Sequence, residues 1–145
     1  MAVIKCIIFA LLLLYAAISD IRKREVSDAV PVMIGITALI GITPAELPGM
    51  FIAAAVITIP QLMIAIRRPG SYDAANPSYG GGDIKFMAAC AFLLGLGRGF
   101  LAIIIGLSAG LLVTVISRLI ERRKINEAFP VVPYLAAGSL IAFLI

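Results

Sequence analysis

Two aspartates are the residues of this chain whose type and position could do chemistry. Asp83 follows the glycine run Gly80-Gly81-Gly82 and precedes an apolar segment, and Asp20 closes another apolar segment. A carboxylate at the edge of hydrocarbon is costly, which makes it a functional candidate. Two carboxyl groups that share a site hold one proton between them, so one can activate a water while the other protonates a leaving nitrogen.

Each aspartate taken alone also has an ordinary structural explanation. Asp is a favoured N-cap, so Asp83 is consistent with a flexible loop that ends where a helix begins. Glycines lack a Cβ atom, so the run before it permits close approach of a partner or simply a mobile turn. The catalytic interpretation therefore depends on whether the fold brings both aspartates to one place.

The composition is that of an integral membrane protein. The 145 residues are 62% hydrophobic and 14% charged, whereas soluble domains are about 45–50% apolar and about 25% charged. The absence of histidine excludes Ser–His and Cys–His catalytic pairs and the commonest metal ligand. Cys6 and Cys90 lie in separate apolar segments, so we interpret them as core residues and expect neither a metal nor another cofactor.

We predict an all-α, polytopic membrane protein that forms a single domain over residues 1–145, with about six transmembrane helices. Spanning a bilayer takes about 20 residues, which the first, third, fifth and sixth apolar segments provide, whereas the second and fourth are short. The first could instead be a cleaved signal peptide, although five further apolar segments argue against this. The six segments are Ala2–Ser19, Ala29–Ile42, Pro48–Ile66, Ile84–Leu96, Gly99–Ser117 and Phe129–Ile145.

The basic residues predict the orientation of these segments. Most fall in the first, third and fifth connections, which are therefore expected in the cytoplasm, and this distribution indicates membrane topology rather than nucleic-acid binding. Between Asp20 and Asp83 the chain crosses the membrane twice, so both acids return to the cytoplasmic face, provided that the second and third segments span. The basic residues of these connections are Arg22, Lys23, Arg24, Arg67, Arg68, Lys85, Arg118, Arg122, Arg123 and Lys124.

Three motifs resemble one known family. Gly80-Gly81-Gly82-Asp83 is similar to the GxGD motif of intramembrane aspartyl proteases, and Asp20-Ile21-Arg22-Lys23-Arg24-Glu25-Val26 resembles the Asp-plus-basic stretch of type IV prepilin peptidases. Val132-Pro133-Tyr134-Leu135 resembles the closing Pro-aromatic stretch of that family. A GxGD motif alone is a weak signal, whereas both aspartate motifs with two crossings between them are specific. The chain looks most like the short Tad/Flp-pilus branch, although archaeal preflagellin peptidases share the pattern.

The resemblance implies a membrane aspartyl endopeptidase with Asp20 and Asp83 as its catalytic pair. The expected partners are the lipid bilayer and a type IV pilin-like precursor, whose basic leader would be removed at the cytoplasmic face of the plasma membrane. Larger members carry a cysteine-rich N-terminal region and methylate the product. This sequence has no CxxC motif, so we expect cleavage without methyl transfer here. Ser27-Asp28 departs from the Pro-Asn of many members. We expect supporting roles for Gly80, Gly82 and Lys85, and contacts to the basic leader from Glu25, Asp28 and Asp73.

Two other functions are compatible with parts of the pattern. A small transporter or channel subunit would use membrane-embedded acids to relay protons or cations, but it would place them near the middle of the bilayer on broken helices. A Ser–Lys protease would use Lys85 with Ser78 or another serine. Lys85 could also simply extend to the membrane surface, and the spacing of Gly106 and Gly110 predicts close packing of helices.

Overall fold

The computed structural model describes residues 2–23, 26–67, 81–121 and 131–145. Within them the chain is all-helical, as predicted. Glu25, Asp73, Ser78 and Gly80 lie outside the described residues. The helices are α1 (Ala2–Lys23), α2 (Ala29–Ala38), α3 (Leu47–Arg67), α4 (Gly81–Glu121) and α5 (Val132–Leu144).

Three of the helical stretches are long and apolar enough to cross a membrane, namely Val3–Lys23, Leu47–Arg67 and Gly81–Ser117. Large apolar side chains cover their outer faces, including Leu11, Phe51 and Ile104, each more than 60% exposed. Such faces are compatible with lipid and costly in water. The predicted count of six spanning helices is not confirmed, because α2 and α5 have only 10 and 13 residues.

The fourth and fifth predicted segments form one helix that reverses direction at Gly95. Gly95 has φ 76° and ψ 179°, a conformation open almost only to glycine. A methyl group at Gly99 would lie 3.4 Å from the Cα atom of Ala91, although eight residues of straight helix rise about 12 Å. Helix α4 therefore has an N-terminal arm (residues 81–94) and a C-terminal arm (residues 96–121). The sequence predicted a connection between these two segments at Gly97-Arg98. The reversal occurs two residues earlier, at Gly95, and residues 97 and 98 are helical.

Helix α2 returns along α1 despite its short length. The Lys5 ammonium, near the start of α1, donates a 2.9 Å hydrogen bond to the carbonyl oxygen of Ala38 at the end of α2. Helix α2 begins six residues after Lys23, the end of α1, so the two helices run antiparallel. The chain has thus moved from the Asp20 end of the bundle to the Lys5 end, and the 21 residues of α3 cover about 30 Å on the way back.

Four of the helices form a ring. Helix α1 packs against α2 and α5, both of these pack against α4, and α3 lies outside the ring on α4. Among the described residues, no Cα atom of α1 lies within 8 Å of a Cα atom of α4. Neighbouring helix axes are typically about 8–10 Å apart, so α1 and α4 are diagonal partners whose inward side chains point at a shared centre.

Small residues allow α5 to lie directly on the C-terminal arm of α4. A methyl group built on Gly138 of α5 would overlap the carbonyl oxygen of Ala102 and lie 2.7 Å from the amide nitrogen of Gly106. One built on Gly106 would lie 2.8 Å from the Cα atom of Leu135. The packing role predicted for Gly106 is confirmed, whereas a methyl group on Gly110 would make only an ordinary contact, 3.5 Å from the ring of Tyr134.

We predict that Gly138→Ala destabilises the protein by about 1–3 kcal/mol, the usual cost of forcing extra atoms into a packed contact. The contact is with the backbone of α4, so no side chain can rotate away to make room. Denaturant unfolding in detergent micelles measures this effect. Gly35→Ala in α2 is the matched control, because its added methyl meets no atom within 4 Å. Equal stability of the two variants would contradict the proposed crossing.

Candidate active site

Asp20 is the polar end of a buried helix face. Phe9, Leu13, Ala16 and Asp20 follow one another at spacings of four, three and four residues, which places them on one side of a helix. All four are buried, and Asp20 is only 7% exposed. Helix α1 continues to Lys23, so Asp20 lies within the last turns of the helix rather than just beyond it as predicted.

The Asp20 carboxylate is held by the start of α5. Its Oδ2 atom accepts a 3.2 Å hydrogen bond from the backbone N–H of Val132, the first residue of that helix. The donor lies on a different helix, so this contact ties the end of α1 to the start of α5.

Asp83 occupies the first turn of α4. The helix begins at Gly81, three residues earlier than the predicted start of the apolar segment, so Asp83 is part of the helix and not its cap. A negative charge is favoured in the first turn by the helix dipole. The half-buried Asp83 lies on the same face as Met87, Cys90 and Leu94, all buried. It therefore ends an inward-facing stripe, as Asp20 does on α1.

The two aspartate motifs lie together at one end of the bundle. A methyl group on Gly82 would lie 3.9 Å from the Cβ atom of Val26, so the connection after α1 runs against the start of α4. In the same region the Lys85 ammonium forms a 2.8 Å ion pair with Oδ1 of Asp28. These contacts join the segment that follows Asp20 to the turn that carries Asp83.

The ion pair changes the interpretation of both of its members. Asp28, predicted to meet a basic leader, already has a cationic partner, and Lys85 does not simply extend into the lipid headgroups. Asp28 also precedes α2 without capping it through its side chain. The pair is exposed, with side-chain exposures of 58% for Lys85 and 74% for Asp28, and exposed pairs contribute only about 0–1 kcal/mol. Asp28 can therefore exchange partners at little cost.

Positive charge is concentrated at the end of the bundle that carries the aspartates. Arg22 and Lys23 end α1, Arg67 ends α3, and Lys85 lies in the first turns of α4. Lys5 lies at the opposite end, where it meets the end of α2. By the positive-inside rule, this asymmetry favours a cytoplasmic position for the aspartate end.

Within the described residues no group of three or more Cys, Asp or Glu side chains is arranged to hold a metal ion. The arrangement is instead one of two inward-facing carboxyl groups on diagonal helices, with Cα atoms more than 8 Å apart. One carboxyl group accepts a backbone hydrogen bond through its Oδ2 atom. This geometry suits acid–base chemistry on a substrate that enters between the two groups.

Sequence reasoning did not identify the backbone of Val132 as part of this site. A signal for the burial of Asp20 was present in the spacing of Phe9, Leu13, Ala16 and Asp20. No comparable signal linked Asp20 to Val132, which lies 112 residues further along the chain. Every residue except proline has a backbone N–H, so residue types do not predict this contact and only the fold could reveal it.

Comparison with known proteins identifies a family. A family model described as the type IV leader peptidase family matches residues 7–115, more than half of the chain, and this range includes both aspartates. No curated protein and no solved structure matches the chain. From the extent of the family match, the chain belongs to the type IV leader peptidase family.

Proposed function

We propose that the protein is an aspartyl endopeptidase that removes the basic leader from a type IV pilin-like precursor at the cytoplasmic face of the plasma membrane. The observation that carries the proposal is the position of Asp20 and Asp83 at one end of the bundle, each ending a buried helix face. Membership of the type IV leader peptidase family supports a peptidase. The concentration of basic residues at the same end supports the cytoplasmic orientation.

The proposed reaction needs only the two carboxyl groups, a water molecule and a peptide bond. One carboxylate removes a proton from the water as the water oxygen attacks the carbonyl carbon. The partner carboxylic acid then protonates the leaving nitrogen, and the C–N bond of the tetrahedral intermediate breaks. The proton taken from water replaces the proton given to nitrogen, so the pair returns to its starting state with one shared proton.

The rival functions fit this arrangement less well. A transporter would place its acids near the middle of the bilayer, whereas Asp20 lies in the last turns of α1 and Asp83 in the first turn of α4. A Ser–Lys mechanism needs a neutral lysine as base, whereas Lys85 is ion-paired with Asp28. Ser78 lies outside the described residues. We also propose cleavage without methyl transfer, which the purified protein and a labelled methyl donor would test.

We predict that Asp20→Asn and Asp83→Asn each lower the cleavage rate of a co-expressed pilin-like precursor by roughly 10²–10⁴-fold, the contribution of general acid–base catalysis. The measurement is the gel mobility of the precursor, with membrane insertion of each variant checked separately. Glu46→Gln is the control, since Glu46 precedes α3 at the opposite end and bonds Thr43 there. Cleavage by either aspartate variant at the wild-type rate would refute the catalytic pair.

A second prediction concerns contact between Asp28 and the leader. Asp28→Asn should raise KM for a precursor with a lysine-rich leader by up to about fivefold, the equivalent of an exposed ion pair of about 1 kcal/mol. Lys85→Ala should lower this KM, because it removes the competing cation from Asp28. Steady-state kinetics with matched basic and neutral leaders measures both effects. The same KM change with a neutral leader would remove Asp28 from the leader site.

A further inference from the structure

A backbone donor in the first turn of α5 bonds a residue of another helix. In its first turn, the N–H groups of Tyr134 and Leu135 both bond the carbonyl oxygen of Val131, and Pro133 has no N–H to donate. Val131 caps the helix without a side-chain hydrogen bond. The N–H of Val132 has no acceptor within the helix, and it donates to Oδ2 of Asp20.

We infer that the backbone N–H of Val132 is a positioning group for Asp20, an inference that rests on the proposed function. The bond fixes Oδ2 and thereby restricts the rotation of the carboxyl group, so that Oδ1 would be the oxygen that acts together with Asp83 of α4. Both partners are buried, Val132 completely and Asp20 to all but 7% of its surface. A hydrogen bond between buried groups is directional and is stronger than the same bond in water.

The packing of α5 explains why this donor has a defined position. Gly138 lies against the backbone of α4 at Ala102 and Gly106, so α5 cannot slide along the C-terminal arm without a clash. At the far end of the contact with α1, the rings of Phe9 and Phe143 pack with centroids 5.5 Å apart. The axial position of α5, and with it that of the Val132 N–H, is set by contacts at the middle of the helix and near its C-terminal end.

The alternative is that Asp20 merely caps α5 and contributes to stability alone. A cap and a positioning group predict the same loss of stability when the bond is removed. They differ in the rate of chemistry and in the environment of the Asp20 carboxyl group. The family match ends at residue 115, before α5, so this contact adds a part of the site that the match does not include.

Val132→Pro separates these two roles. Proline is well tolerated at the first position of a helix, because the N–H it lacks has no partner within the helix. The variant therefore removes the donor to Asp20 while it keeps an apolar side chain of similar size. Val132→Ala is the matched control, since it shortens the side chain and keeps the N–H.

With purified protein and a precursor substrate, Val132→Pro should lower kcat at least tenfold with KM unchanged, a loss equivalent to about 1.4 kcal/mol. Val132→Ala should stay within about threefold of the wild type. Infrared difference spectra should show a displaced Asp20 carboxyl band in Val132→Pro but not in Val132→Ala, with the band assigned by its loss in Asp20→Asn. Equal kcat in the two Val132 variants, or an unmoved band, would overturn the inference.

The spectrum distinguishes failure of the inference from failure of the proposed function, because it needs no cleavage. If the wild type does not cleave but the band moves in Val132→Pro alone, the proposed function fails and the contact to Asp20 stands.

Val131 has helical dihedral angles, φ −91° and ψ −33°, which a following proline disfavours. Should Val132→Pro not accumulate, the ¹⁵N amide signal of Val132 is compared in Asp20→Ala and Asp28→Ala. A shift in Asp20→Ala alone supports the contact, and no shift overturns it.

Discussion

Burying a carboxylate among apolar helices requires a hydrogen-bond donor, and here the donor is the backbone amide at the start of a helix. Asp20 meets the N–H of Val132 at 3.2 Å. A helix start is well suited to this, because its first N–H groups have no partner within the helix and its dipole favours negative charge. The position of α5 therefore determines the environment of Asp20. That position depends in turn on glycines that allow backbone contact with α4.

Because α4 reverses direction at Gly95, its two arms contribute to the site separately. The N-terminal arm carries Asp83 at its start, and the C-terminal arm provides the small-residue surface on which α5 lies. The two aspartates therefore lie on different helices. Asp83 is on the N-terminal arm of α4. Asp20 is on α1 and contacts the start of α5, which packs on the C-terminal arm of α4. Helices α2 and α5 contact both α1 and α4, and among the described residues no Cα atom of α1 lies within 8 Å of one of α4.

Local patterns in the sequence predicted much of the fold. The bounds of α3 agreed to within one residue at each end, because polar residues and turns flank a long apolar run. The end of α1 was missed since helix continues beyond its apolar part through Ile21, Arg22 and Lys23. The reversal was misplaced because Gly95 and Gly97 look alike in sequence, and only the dihedral angles distinguish the residue that turns.

The site was less predictable than the fold, for a physical reason. The types and spacing of Asp20 and Asp83 identified them as candidates. Their partners depend on contacts between distant segments, as in the Lys85–Asp28 pair, 57 residues apart. The donor to Asp20 is a backbone amide, which every residue except proline has, so the residue types could not predict it.

The most direct test of a shared carboxylate site is a measurement of proximity in native membranes. Cysteines would replace Asp20 and Asp83 in a chain whose Cys6 and Cys90 are alanine. A short bifunctional thiol reagent should link this pair, as it should link cysteines at the ion-paired positions 28 and 85, 2.8 Å apart between side-chain atoms. A pair at positions 20 and 46 should not react. Linkage at 28 and 85 but not at 20 and 83 would contradict the account.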